Sequence, residues 1–183
     1  MNKNKNMQNN ISLGRLRFSI NRKRNDEVYK ILEMHGVDVR YKDLGSALSI
    51  ACMAENWDIA TYCIKNGADV NVRDSEDATA IMDACKYGNF EVVQLLVEAG
   101  AELNVQNKYD MTPIGNAIAH HPENLELIEY LLIHGADPFV IENYKSDDPR
   151  RKTFTAYDYA KKDLKNETIV NLLDKYKHSE SEE

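Results

Sequence analysis

No run in this chain of 183 residues approaches the ~20 consecutive apolar residues that a membrane-spanning helix requires. No stretch joins a charged start, an apolar block and a small-residue cleavage site, so a secretory leader is not expected. These two absences set the expectation of a cytoplasmic protein with no membrane partner. Cysteine is scarce: Cys52, Cys63 and Cys85 are odd in number and form no CxxC pair, which favours free thiols in a reducing compartment over a disulfide framework. Acidic residues are missing from residues 1–25, where Lys3, Lys5, Arg15, Arg17, Arg22, Lys23 and Arg24 give +7 against −14 for the remainder. An acidic body repels phosphate backbones and suits a basic protein partner, so nucleic acid is not its expected ligand.

What the chain does have is a repeat. Gly36-Val37-Asp38-Val39, Gly67-Ala68-Asp69-Val70-Asn71, Gly100-Ala101-Glu102-Leu103-Asn104 and Gly135-Ala136-Asp137-Pro138 recur with glycine intervals of 31, 33 and 35. A period of ~33 marks a solenoid. A second element precedes two of these glycines by 21 residues: Ser46-Ala47-Leu48-Ser49-Ile50-Ala51 and Thr79-Ala80-Ile81-Met82-Asp83-Ala84. It returns as Thr112-Pro113-Ile114-Gly115-Asn116-Ala117 and Thr155-Ala156-Tyr157-Asp158-Tyr159-Ala160.

Both elements resemble those of ankyrin repeats, the second matching that family's Thr-Pro-Leu-His-x-Ala signature and the first its Gly-Ala-Asp-Val-Asn segment. The resemblance covers roughly residues 15–176. It implies an all-α ankyrin-repeat solenoid of about five stacked helix-turn-helix units with hairpin-like loops. The chemistry of each piece agrees. A Ser or Thr ahead of a short apolar turn caps a helix, which places helix A starts at Ala47, Ala80, Pro113 and Ala156. Small residues at Ala51, Cys52, Ala84, Cys85 and Ala117 let neighbouring helices approach. Helix B carries apolar residues at helical spacing, as in Val92, Val93, Leu95 and Leu96, and a glycine closes it in the left-handed conformation.

The expected units are 11–40, 41–73, 74–106, 107–142 and 153–177, with a loop insertion at 143–152. Residues 1–10 and the acidic tail 178–183 are polar and expected to be disordered. The first and last units are read as caps. For the first, one of Leu13, Leu16, Phe18 or Ile20 should face helix B. The fourth unit holds two extra residues around His121 and Pro122, and the last one extra residue near Leu164.

No nucleophile–base pair, phosphate loop or metal-ligand set is legible, so neither enzyme activity nor a cofactor is expected. His120 and His121 are adjacent, not the i, i+4 pair a zinc site uses. His35 and His134 precede helix-ending glycines and suit the helix dipole. The cysteines read as small buried filler.

Ankyrin proteins bind through loop tips and the exposed face of helix A. Carried onto this chain, that surface holds Leu44, Met53, Arg73, Glu76, Asp77, Lys86, Tyr87, Lys108, Tyr109, Asp110, Met111 and His120. Tyr87 and Tyr109 are the expected centre, with Leu44, Met53 and Met111 exposed beside them and Glu76, Asp77 and Asp110 as acidic rim. The function read from this is binding of a protein partner, by a chain that is a monomer when unbound and acts as an inhibitor, a toxin-neutralising immunity protein or an adaptor. The alternative is nucleic-acid contact through the basic amino-terminal segment.

Overall fold

The computed structural model describes residues 14–41, 45–141 and 154–177. Expectations for the two tails, for Leu13 and Leu44, and for the insertion 143–152 fall outside these residues.

Within the described residues the chain forms five successive helix pairs. The first helix of each pair is α1 (14–21), α3 (Ala47–Met53), α5 (Ala80–Lys86), α7 (Pro113–His120) and α9 (Ala156–Asp158). The second is α2 (Asn25–His35), α4 (Trp57–Lys65), α6 (Phe90–Glu98), α8 (Leu125–Ile133) and α10 (Glu167–Lys175). Between α2 and α3 a small antiparallel hairpin joins β1 (Arg40–Tyr41) to β2 (Gly45–Ser46).

The helix starts fall where the hydroxyl residues place them. Ser46, Thr112 and Thr155 accept from the amides of Ser49, Gly115 and Asp158. Thr79 does not: its hydroxyl is buried with no hydrogen-bond partner, so α5 starts without the expected side-chain cap. The second helices begin at asparagines, and Asn89, Asn124 and Asn166 each accept from an amide three residues on. Asn56 instead turns to the first unit, donating to Ile20 O at 3.0 Å and Asn25 Oδ1 at 2.9 Å.

The two extra residues of the fourth unit lengthen α7 and its following turn by one each relative to α5. The single extra residue of the last unit is absorbed by a π segment, Tyr159–Asp163, that continues α9. Leu164 N donates to Tyr159 O at 3.0 Å, the five-residue spacing of a π turn.

The first helices stack in order, α3 on α5, α5 on α7 and α7 on α9, and their partners pack behind them. Ala51, Cys52, Ala84, Cys85 and Ala117 are fully buried at these contacts, as are Leu48, Ile81 and Ile114. Each of those large side chains contributes about 2 kcal/mol relative to exposure. The core is one continuous cluster from Leu16 to Leu173. In the first unit Leu16 and Ile20 close it, whereas Phe18 is 50% exposed and takes no part.

Side chains also tie each unit to the next. Asn71 donates to Gly100 O at 3.0 Å and accepts from Glu102 N at 2.9 Å. Asn104 repeats the arrangement on Gly135 O and Asp137 N, at 3.0 and 2.8 Å.

Candidate functional site

Two loop tips project beside α5 and α7, and both are built by one local rule. Asp74 accepts from the amides of Glu76 and Ala78 at 2.8 and 2.9 Å. Asn107 accepts in the same way from Tyr109 and Met111, at 2.9 and 3.0 Å. Each turn closes through a residue at positive φ, Asp77 at 59° and Asp110 at 58°. Asp and Asn suit such turns because their short side chains bond their own backbone two residues on and tolerate this region.

The tips are bonded to one another. Lys108 N donates to Glu76 O at 2.8 Å, and Tyr109 donates its hydroxyl to Glu76 Oε1 at 3.1 Å. The Lys108 ammonium donates to Ser75 O, and Arg73 Nη1 to Gln106 O at 3.2 Å. The hydrogen bond to Glu76, with the charge of that carboxylate behind it, raises the Tyr109 phenol above its ordinary value.

Between these tips and the first helices lies a groove of about 410 Å³. Seven of the residues expected from the sequence line it: Met53, Glu76, Lys86, Tyr87, Tyr109, Met111 and His120. Arg73, Asp77, Lys108 and Asp110 lie on the tips outside the lining. Met53 and Tyr109 are exposed, at 40% and 46%. Tyr87 and Met111 are half-buried, contrary to expectation: the Tyr87 and Trp57 rings lie edge to face with centres 6.3 Å apart, and the Met111 amide is tied into the Asn107 turn. Asp77 and Asp110 are half-buried too, spent on the turns rather than held out as a rim.

The sequence reading missed the floor of the groove, which is formed by Met82, Asp83 and Asn116 with Asp74 and Asn107 beside them. Asp83 is the significant omission. Burial first, and the Asp74 carboxylate second, push its carboxyl up to about 7, while Lys86 opposes the shift. A signal was present: Asp83 and Asn116 hold the same position in their signatures as the buried Ile50, so polar residues occupy a column where an apolar one fits. His120 faces the same groove, and burial followed by Lys86 and His121 lowers its imidazole below the ordinary value.

Among the described residues no group of three or more His, Cys, Asp or Glu is placed to hold a metal ion, and no helix is long and apolar enough to cross a membrane. Cys52, Cys63 and Cys85 are buried free thiols. A family model described as ankyrin repeats (3 copies) matches residues 16–107 and 48–142. A search of curated proteins returns no match.

Proposed function

Taking as premise that this chain belongs to the ankyrin-repeat family, a family of protein–protein interaction modules, we propose that it acts by holding a basic protein partner against the groove beside α5 and α7. The observation that carries this reading is the joining of exposed Met53 and Tyr109 to the carboxylates of Asp74, Glu76 and Asp83 on one concave face. Apolar and aromatic anchors flanked by charge are the make-up of a contact face, and the excess of carboxylates over the single Lys86 in the lining steers a basic partner toward it. The chain is proposed to be a cytoplasmic, non-enzymatic monomer when unbound. Its output is the binding itself, as an inhibitor, a toxin-neutralising immunity protein or an adaptor.

The test is site-specific photo-crosslinking in the native cell. A crosslinking residue replacing Tyr109 is expected to trap a basic protein, while the same residue replacing Glu98 on the opposite helix layer traps none. Equal trapping at both positions, or none at Tyr109, rules the reading out.

A second reading has an observation of its own. Arg15, Arg17, Arg22, Lys23 and Arg24 are all exposed on α1 and the turn after it, and the guanidinium groups of Arg22 and Arg24 lie 5.5 and 5.4 Å from the centre of the exposed Phe18 ring. Such a patch suits a nucleic-acid backbone. It predicts a salt-dependent mobility shift of labelled RNA or DNA that disappears when Arg15, Arg17, Arg22 and Arg24 become alanine. Deleting the whole segment is a poorer test, since it also removes Leu16 and Ile20 from the core.

A further inference from the structure

We propose that the groove is a receptor for one lysine or arginine side chain of the partner, with the cation set against Asp83 and the aliphatic stem between Tyr109, Met53 and Met111. This inference rests on the groove being the contact face and adds what enters it.

Most charges around the groove are already engaged. Asp74 is held by two backbone amides, and Glu76 takes the Tyr109 hydroxyl. Lys108 is turned away to Ser75 O, and the Lys86 ammonium lies 5.7 Å from the centre of the Tyr87 ring. Of the three carboxylates lining the groove, Asp83 alone makes no hydrogen bond or ion pair among the described residues. A half-buried carboxyl without a hydrogen-bond partner loses solvation and feels the Asp74 carboxylate, and the Lys86 charge offsets only part of this, so it holds its proton to about 7. An incoming cation supplies the missing interaction.

The walls set the shape of that cation. A compact metal ion finds no second free carboxylate, whereas an alkylammonium or guanidinium can lay its methylene stem on the apolar walls while its head reaches Asp83. Tyr109, in the lining and exposed, adds a ring face that favours a cation. The groups around Asp83 comprise Asp74 and Glu76 from the first tip, Lys86 from its own helix, Tyr109 from the second tip and His120 from α7, with the Cys52 thiol facing it from α3. With His120 held toward its neutral form and Lys86 the one cation in the lining, the field at neutral pH is net acidic.

The experiment is selection of random heptapeptides on the full-length chain, with counter-selection on Tyr109→Ala to retain groove binders. The best peptide is then titrated against the wild-type chain and Asp83→Asn. Groove binders are expected to share a lysine or arginine at one fixed position. Replacing that residue by norleucine, or Asp83 by Asn, should each weaken binding about tenfold or more, and the two losses should not add. Affinity of the wild-type chain should rise roughly tenfold from pH 6 to pH 8, and that of Asp83→Asn should stay flat. Near-UV circular dichroism establishes that Asp83→Asn is folded, and Asp83→Glu, which keeps the charge, should retain part of the affinity.

Groove binders with no fixed basic position, or indifference to Asp83→Asn, overturn this proposal and leave the contact face standing. Failure to recover any peptide that depends on Tyr109 overturns both. Concentration-dependent dimers that vanish when the arginines of residues 15–24 are replaced would assign the pocket to a second copy of the chain, which also overturns it.

Discussion

His121 occupies the space that a side chain at Gly88 would need. A Cβ built there would come within 2.9 Å of His121 Cδ2 and Nε2, and Gly88 sits at φ +69°. His121 is held in place by a hydrogen bond between Nε2 and Lys86 O at 3.0 Å, so the lengthened turn of the fourth unit folds back on the turn before it. Gly88→Ala should therefore cost about 2 kcal/mol, from backbone strain and crowding together. Adding His121→Ala should recover only part of this, since it relieves the crowding and leaves φ unchanged. Urea midpoints of the three variants measure it; a Gly88→Ala midpoint equal to the parent's would refute the account.

Asp83→Asn should stabilise the free protein, by more and more as pH rises from about 4 to about 7 and by a constant amount above that. The folded chain keeps on Asp83 a proton that the unfolded chain gives up near the ordinary carboxyl value of 3.8, so this carboxyl's contribution to stability falls as pH rises from about 4 to about 7. The asparagine variant escapes that loss. Its advantage should be near zero at pH 4 and roughly 2 kcal/mol at pH 8, after allowance for partial exposure. Melting temperatures should then differ by about 5 °C at pH 8. An advantage that is the same at both pH values would contradict the raised carboxyl.

The two threonines that open α5 and α7 should respond to valine in opposite ways. Thr112 accepts from Gly115 N at 3.0 Å, and Thr112→Val should cost about 1 kcal/mol of cap. Thr79 has a buried hydroxyl with no partner, so Thr79→Val should be neutral or stabilising. Denaturant titration distinguishes the two, and equal losses would show that Thr79 is bonded in solution.

The thiols should resist modification until the chain unfolds. Burial pushes Cys63 up to about 12 and raises Cys52 and Cys85 as well. Thiolate is the reactive form, so a disulfide reagent at pH 8 should label fewer than one thiol per chain in buffer and all three in denaturant. Rapid labelling of the native protein would show that the stack opens readily.

Periodicity made the stack legible before any coordinates. The helix starts at Ala47, Ala80, Pro113 and Ala156, and the closing glycines, follow from cap chemistry repeated every ~33 residues. Local composition also pointed to the tips, because Tyr109 and Glu76 stand in polar turns. The floor was harder to read. Asp83 reads as a variable signature position, and its depth depends on how closely the neighbouring units approach it. The exposure of Tyr87 failed for a like reason: its contact with Trp57 comes from the preceding unit, thirty residues away in sequence. Thr79 shows the limit of motif reasoning, as the residue type is right and the bond is not made.

Asn71 and Asn104 present the same two atoms to the same two backbone groups one unit further on. If residues 74–106 were excised, Asn71 would stand opposite Gly135 O and Asp137 N, groups of the kind it already serves. The bonding pattern is thus indifferent to which brick comes next. Inner bricks that carry this asparagine can be removed or duplicated without redesign of the bonds that join them, so the length of the gripping surface is set by the number of bricks alone.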